Sequence, residues 1–162
     1  MNACRRSFVV VALIVFSSLG LRAQADVDDC EFDRWHVGGG ACAVLPQGGS
    51  PMRHATGAEI GAGYYISEMW TFEAAASFVE RYIGLCCGFL WHWWGYERLD
   101  PFFTYGARGW LDGCGAGPSA GVGAFWNIDD SWSIRFQTDA TLAVGDGAWM
   151  AYSFSLGLRR TF

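Results

Sequence analysis

Period-two alternation, sustained over segments of about ten residues, is the feature that most limits how this chain can fold. In the final segment Met150, Tyr152, Phe154, Leu156 and Leu158 fall on one parity, and Ala151, Ser153, Ser155, Gly157 and Arg159 on the other. Side chains of a strand point alternately to its two faces, so this segment is a strand with one bulky apolar face and one small polar face. The preceding segment repeats the design, with Trp132, Ile134 and Phe136 opposing Ser133, Arg135, Gln137 and Asp139.

An internal repeat extends the pattern. The stretches beginning Gly61-Ala62-Gly63-Tyr64-Tyr65 and Gly121-Val122-Gly123-Ala124-Phe125 each give a Gly-x-Gly strand, aromatics, a short polar turn and a Trp-containing alternating strand. A third tight turn lies at Glu97-Arg98-Leu99-Asp100-Pro101. Strands are expected near 34–45, 55–66, 70–81, 85–96, 102–111, 118–126, 131–140 and 148–162. The turns at 67–69, 97–101 and 127–130 are short, whereas 46–54, 82–84, 112–117 and 141–147 are expected to be the longer loops. Eight strands with short turns at one end and longer loops at the other is the habit of a membrane-spanning barrel.

Composition agrees. The chain is 52% hydrophobic and 17% charged, yet no uninterrupted apolar run approaches the ~18 residues of a spanning helix. A spanning strand needs only about 9–11 residues, and a closed sheet satisfies its own backbone in lipid. The mid-strand charges Glu59, Glu73, Arg108, Arg135 and Asp139 all take the parity opposite to the bulky residues. They are therefore expected inside, with Arg159 beside them, as a lumen charge network. Glu80 and Arg160 break the rule near strand ends. A plug of salt-bridged side chains is the simpler reading of this network, because eight strands leave little lumen; a gate for small solutes is the alternative.

Residues 1–25 read as a secretory signal peptide, with Arg5-Arg6, an apolar core from Phe8 to Phe16 and the small-residue cleavage site Ala23-Gln24-Ala25. Residues 26–33 carry Asp26, Asp28, Asp29, Glu31 and Asp33 and form an acidic, flexible N-terminal segment; the barrel is expected over 34–162. Removing the signal takes away three of the eleven arginines and leaves 8 Arg against 16 acids, a net charge of 8 − 16 = −8. No nucleic acid is expected as a partner of so acidic a chain. There is no lysine.

Trp70, Trp126 and Trp132, with Tyr96, Phe103 and Phe162, are expected to form an aromatic girdle at the short-turn end, and Trp110 and Trp149 to contribute to the opposite one. His36, His54 and His92 are the candidate bases for an enzyme, but no nucleophile is positioned beside them in the sequence. His92, flanked by Trp91 and Trp93, reads as a hydrogen-bonded interior histidine. No catalytic residue, cofactor or metal site is expected; the adjacent pair Cys86-Cys87 lacks metal-ligand spacing. Five cysteines follow the signal, and a disulfide from Cys114 to Cys86 or Cys87 is expected across neighbouring loops, with Cys30 left over.

The ending Phe154-Ser155-Leu156-Gly157-Leu158-Arg159-Arg160-Thr161-Phe162 resembles the closing strand of bacterial outer-membrane β-barrel proteins of the outer-membrane-protein-A/X-like kind, and the hairpins at 57–78 and 119–140 resemble the same family. The resemblance covers about 34–162. It implies an all-β fold, an eight-stranded antiparallel transmembrane β-barrel in an up-and-down meander, located in the bacterial outer membrane. It also implies that Phe162 is the assembly signal read by the barrel-assembly machinery, that periplasmic chaperones and outer-membrane lipids are the partners, and that the protein is a monomer. Because the chain stops at Phe162, no wall-anchoring domain is expected. The role expected is structural or adhesive, with the loops 46–54, 112–117 and 141–147 as contact surface. The alternatives are a lipid-modifying outer-membrane enzyme, a small-solute channel, and a soluble exported lipocalin-like barrel with its aromatics inside.

Overall fold

A computed structural model of the chain describes residues 35–93, 98–111, 114–145 and 147–162; the signal peptide, the acidic segment, Cys30 and Tyr96 lie outside them. The described chain forms eight strands, β1 Trp35–Gln47, β2 Ala55–Ser67, β3 Trp70–Val79, β4 Tyr82–His92, β5 Leu99–Trp110, β6 Gly115–Asn127, β7 Trp132–Val144 and β8 Ala148–Thr161. Each strand pairs antiparallel with the next, and β8 pairs with β1, giving a closed up-and-down barrel. The closing ladder runs from His36 opposite Thr161 to Gln47 opposite Met150. It is finished by the Phe162 amide donating to the Trp35 carbonyl at 2.8 Å. With no open edge, the backbone is satisfied without water, which is what permits a sheet to sit in lipid.

The alternation in the sequence is the alternation of the wall. Ile60, Phe136, Phe154, Leu156 and Leu158 stand exposed on the outside, whereas Glu59, Glu73, Arg108, Asp139 and Arg159 are buried inside. This arrangement excludes the lipocalin-like alternative, in which the bulky aromatic parity would line the interior. Glycine occupies many inward positions because opposing backbones come too close for a side chain. A Cβ on Gly57 would collide with the Phe78 carbonyl, and one on Gly117 with the Leu142 carbonyl.

The connections differ from the expected ones in three respects. The segment 82–84 is strand rather than loop: β3 turns into β4 through Glu80 and Arg81 alone, with Val79 paired to Tyr82 and Glu80 in the left-handed region at φ 49°. At the same end the β5–β6 and β7–β8 connections span only 111–114 and 145–147, so 48–54 is the one connection there longer than four residues. The expected set of long loops is not present. The turn expected at 97–101 also shifts, because Leu99, Asp100 and Pro101 already belong to β5 and pair with Trp126, Phe125 and Ala124.

At the other end an aromatic belt surrounds the barrel. Trp70, Phe103, Trp126, Trp132 and Phe162 all project outward, and neighbouring rings touch, with Trp35 and Tyr64 at 5.0 Å, Trp91 and Phe103 at 5.7 Å and Trp93 and Phe103 at 5.5 Å. Such rings favour the boundary between acyl chains and headgroups. The opposite girdle is not built as expected, because Trp110 and Trp149 point inward and are buried. Arg160 and Glu80 do not contradict the charge rule. Glu80 sits in a turn, and Arg160 lies at the belt with its guanidinium 5.6 Å from the Trp132 ring and 4.9 Å from that of Phe162.

Leu156, half-exposed near the middle of β8, faces the acyl region. Replacing it with Arg is expected to lower the unfolding free energy in lipid vesicles by about 2–4 kcal/mol. Ser155→Ala, one residue away on the inner face, is expected to change it by less than about 1 kcal/mol; reversible denaturant titration of both variants checks the difference.

Candidate functional site: the filled lumen

The barrel interior is built in three layers, each assembled from residues distant in sequence. Nearest the 48–54 connection lies an apolar plug of Cys42, Val44, Met52, Val79, Tyr82, Trp110, Cys114, Ala143, Trp149 and Ala151. Trp110 and Trp149 meet at 5.1 Å between centroids, and the Trp149 Nε1–H donates to the Cys114 carbonyl at 3.0 Å. The connection 48–54 folds back over the barrel mouth, placing Met52 in this plug. It turns through Gly48 and Gly49, both in the left-handed region that glycine adopts without a steric penalty.

The middle layer is charged. Arg135 binds Glu73, and its Nε also donates to Gln137 at 2.8 Å. Gln137 donates in turn to both carboxylate oxygens of Asp139, at 2.9 and 2.7 Å. Arg108 faces Glu59 at 3.5 Å and Asp139 at 3.8 Å, and hydrogen-bonds Ser153. On the far side of Glu73, the His36 Nε2 lies 3.2 Å from its carboxylate. One continuous chain of polar groups therefore ties six of the eight strands together. A buried charge deprived of its partner is strongly destabilising, so this layer fixes the register of the strands that carry it.

The third layer lies beneath the aromatic belt. Arg159 donates to Ser133 at 2.8 Å and to the Tyr65 hydroxyl at 2.6 Å, and its guanidinium sits 3.6 Å from the centre of the Phe125 ring. Beside it, Phe102 and Phe125 pack at 4.7 Å. His92 stacks on Phe125 with 6.0 Å between centroids. Its Nδ1 contacts Asp100 at 2.7 Å and its Nε2 contacts the Thr71 hydroxyl at 2.9 Å.

The structure thus places Glu59, Glu73, Arg108, Arg135, Asp139 and Arg159 in one interior, and brings the first five into a single network with His36, Gln137 and Ser153. Arg159 instead serves a separate cluster. Sequence reasoning did not single out Thr71, Tyr65 and Asp100 as interior partners. Their parity marks Thr71 and Tyr65 as inward, since they share it with Glu73 and Glu59, but their meeting depends on register between strands. Asp100 was assigned to a turn and could not be seen there.

The expected disulfide is not formed. Cys86 and Cys87 are both free thiols, so neither is bonded to Cys114. Cys86 faces the lumen with its sulfur 3.7 Å from Arg108, Cys114 contributes to the apolar plug, and the adjacent Cys87 points outward by strand alternation. Cys86 and Cys87 are interior to β4 rather than on a loop, so neither is presented to Cys114. Among the described residues no group of His, Cys, Asp and Glu has the arrangement of a metal site.

Thr71, His92 and Asp100 have the hydroxyl–imidazole–carboxylate order of an acyl-transfer relay. They are almost wholly buried, and the described cavities are lined by other residues. The two small interior cavities measure about 20 and 30 Å³, room for water-sized molecules at most. The second is bounded by Glu59, Arg108, Arg135 and Asp139. What the arrangement does chemically is join strands across the enclosed space.

Searches on sequence return no match, either to a family model or to a curated protein. Comparison of the folds does. The chain superposes on the outer membrane protein OprG from Pseudomonas aeruginosa with a TM-score of 0.63 at 11% identity, covering 79% of this chain and 95% of that one. The fold is that of an eight-stranded outer-membrane β-barrel. Ail, the attachment invasion locus protein of Yersinia pestis, matches with a TM-score of 0.58 at 10% identity, covering 81% of this chain and all of its own. A de novo designed transmembrane β-barrel matches equally, with a TM-score of 0.58 at 12% identity over 83% of this chain and its whole length. A barrel with no evolved role fits as well as a natural one. The likeness therefore establishes transmembrane architecture and leaves function to the residues.

Glu73→Ala deprives Arg135 and His36 of their shared carboxylate and is expected to cost about 3–5 kcal/mol of unfolding free energy. Glu73→Ala combined with Arg135→Ala is expected to lose less than the sum of the two single changes, because the second removes the uncompensated charge. Thiol labelling of the folded protein in vesicles gives an independent check. Cys87 is expected to react with a membrane-soluble maleimide, while Cys42 and Cys86 react only after unfolding.

Proposed function

We propose that this protein is a non-conducting, structural barrel of a bacterial outer membrane, and that its outward contacts are made by a low platform rather than by long loops. The observation that carries this reading is the filling of the lumen by side chains, down to cavities of about 20 and 30 Å³. An apolar plug seals one end, the Glu73–Arg135–Gln137–Asp139–Arg108 chain crosses the middle, and the Phe102–Phe125–Arg159 cluster closes the belt end. Eight strands enclose a space that side chains just fill, and here ion pairs occupy what would be the conducting path.

An outer-membrane location is supported by the outward apolar wall, by the kinship of fold with OprG and Ail, and by the signal-like residues 1–25. Phe162, exposed at the end of β8, is suited to recognition by assembly machinery before the barrel closes. A lipid-modifying activity is disfavoured by the burial of Thr71, His92 and Asp100, which leaves no route for substrate. Ail is named for attachment; an attachment role for this chain would be exercised at the rim formed by the 48–54 connection and the Glu80-Arg81 turn, where Arg53, His54 and Arg81 are exposed. Loops on a rigid scaffold are the usual seat of such recognition.

Single-channel recording in planar bilayers tests the reading. The folded protein is expected to give no stable conductance steps, and large, long-lived steps would contradict a filled lumen.

A further inference from the structure

Among the described residues, the aromatic belt carries two arginines that the interior does not use. Arg98 lies with its guanidinium 5.7 Å from the Trp126 ring, and Arg160 stands over Trp132 and Phe162. The ion pairs among the described residues are made by His36, His92, Arg108 and Arg135, so neither belt arginine faces a carboxylate there. The nearby Asp129 is occupied, accepting from the amides of Ser131 and Trp132 at 2.8 Å each and so closing its own turn. Asp130 is exposed beside it and forms no ion pair with either arginine. Both guanidiniums thus present hydrogen-bond donors at the level where headgroups lie, on the side of the barrel formed by β5 to β8.

The outer wall carries a shallow, open apolar depression of about 970 Å³, which starts on the same side at Val122 and Ala124 of β6, crosses Phe136 of β7 and Phe154 and Leu156 of β8, and continues past Ala41 of β1 to Thr56 of β2. Small residues on β6 and β1 let the surface recede between the projecting phenylalanines. Leu156 lies four residues along β8 from Arg160, about 13 Å at the rise of an antiparallel strand. Phosphate-binding donors and an apolar furrow are therefore placed one above the other, headgroup above acyl chain.

We propose that this side of the barrel is a binding site for an anionic phospholipid, with Arg98 and Arg160 holding headgroup phosphate and the groove receiving an acyl chain. Arginine suits the first role, since its planar fork donates to phosphate oxygens while its face stays on an aromatic ring. The opposite rim is different: Arg81 is drawn onto Tyr82, donating to its hydroxyl at 3.0 Å, and Trp110 and Trp149 are buried in the plug.

The test uses the full protein folded in neutral detergent, loaded from vesicles of phosphatidylglycerol or of phosphatidylcholine, with retained lipid read by native mass spectrometry. Heat-modifiable gel mobility confirms that each variant is folded. Preferential retention of phosphatidylglycerol is expected. Arg98→Gln and Arg160→Gln are each expected to weaken it about fivefold, and Arg53→Gln, at the other rim, to leave it unchanged. Ala124→Trp, which fills the groove without touching either arginine, is expected to lower retention of both lipids. Arg160→Lys keeps the charge and provides a second variant, expected to bind more than Arg160→Gln. Equal retention of the two lipids, or undiminished phosphatidylglycerol in the Arg98→Gln/Arg160→Gln double variant, would overturn the proposal. Displacement of the lipid by excess inorganic phosphate would overturn the groove's part in it and assign the arginines to free phosphate.

Discussion

The ladder between β1 and β8 is the contact on which the rest of this structure depends. Until it forms, the sheet has two open edges whose amides and carbonyls no hydrocarbon can satisfy, each at a cost of several kcal/mol. Once it forms, the chain acquires an inside. Residues such as Glu59, Glu73 and Arg108, which no isolated sheet could bury, gain partners across the enclosed space. The same closure fixes which residues must be glycine, since opposing backbones at Gly57 and Gly117 leave no room for a Cβ. Wall, lumen and belt are consequences of one topological event.

The interior is filled by side chains that bind one another. Polar side chains inside a barrel could keep water and ions moving, yet here they are engaged with one another. Arg135 reaches Glu73 and Gln137 together, Gln137 passes the link to Asp139, and Arg108 continues it toward Glu59. The apolar plug around Trp110 and Trp149 adds a layer that water has no reason to enter. Its lid, the connection 48–54, is the longest at that end, and it is spent on covering the barrel rather than on reaching outward. The proposed contacts accordingly lie on the outer surface and the rims, where the belt arginines are found.

Much of this was legible because a strand's face assignment is strictly local. The parity of residues 132–139 and 150–159 announces which side chains face lipid, and the placement of Arg135, Asp139 and Arg159 on the other parity follows from the same count. Trp110 and Trp149 were misplaced by treating tryptophan as an interfacial residue by type. Their parity, shared with Arg108 and with Ser153, already pointed inward. What parity could not supply is register. Nothing in the sequence places Thr71 against His92 or Tyr65 against Arg159, because those meetings depend on the stagger of neighbouring strands. The tight turn at Glu80-Arg81 was hidden for a different reason: its left-handed residue is not the glycine that usually marks such a turn. The expected disulfide is absent for a separate reason: Cys86 and Cys87 lie within β4, one facing the lumen and the other lipid, and both are free thiols.

Alternate residues of each strand face lipid and a closed, filled interior. Single spin labels at successive positions from 150 to 160, in otherwise cysteine-free protein reconstituted in vesicles, measure this most directly through collision with oxygen. Oxygen accessibility is predicted to rise and fall with period two, high at 152, 154, 156 and 158 and low at 151, 153, 155 and 157. Equal accessibility on both parities, or collision with a water-soluble nickel complex along the odd positions, would contradict it.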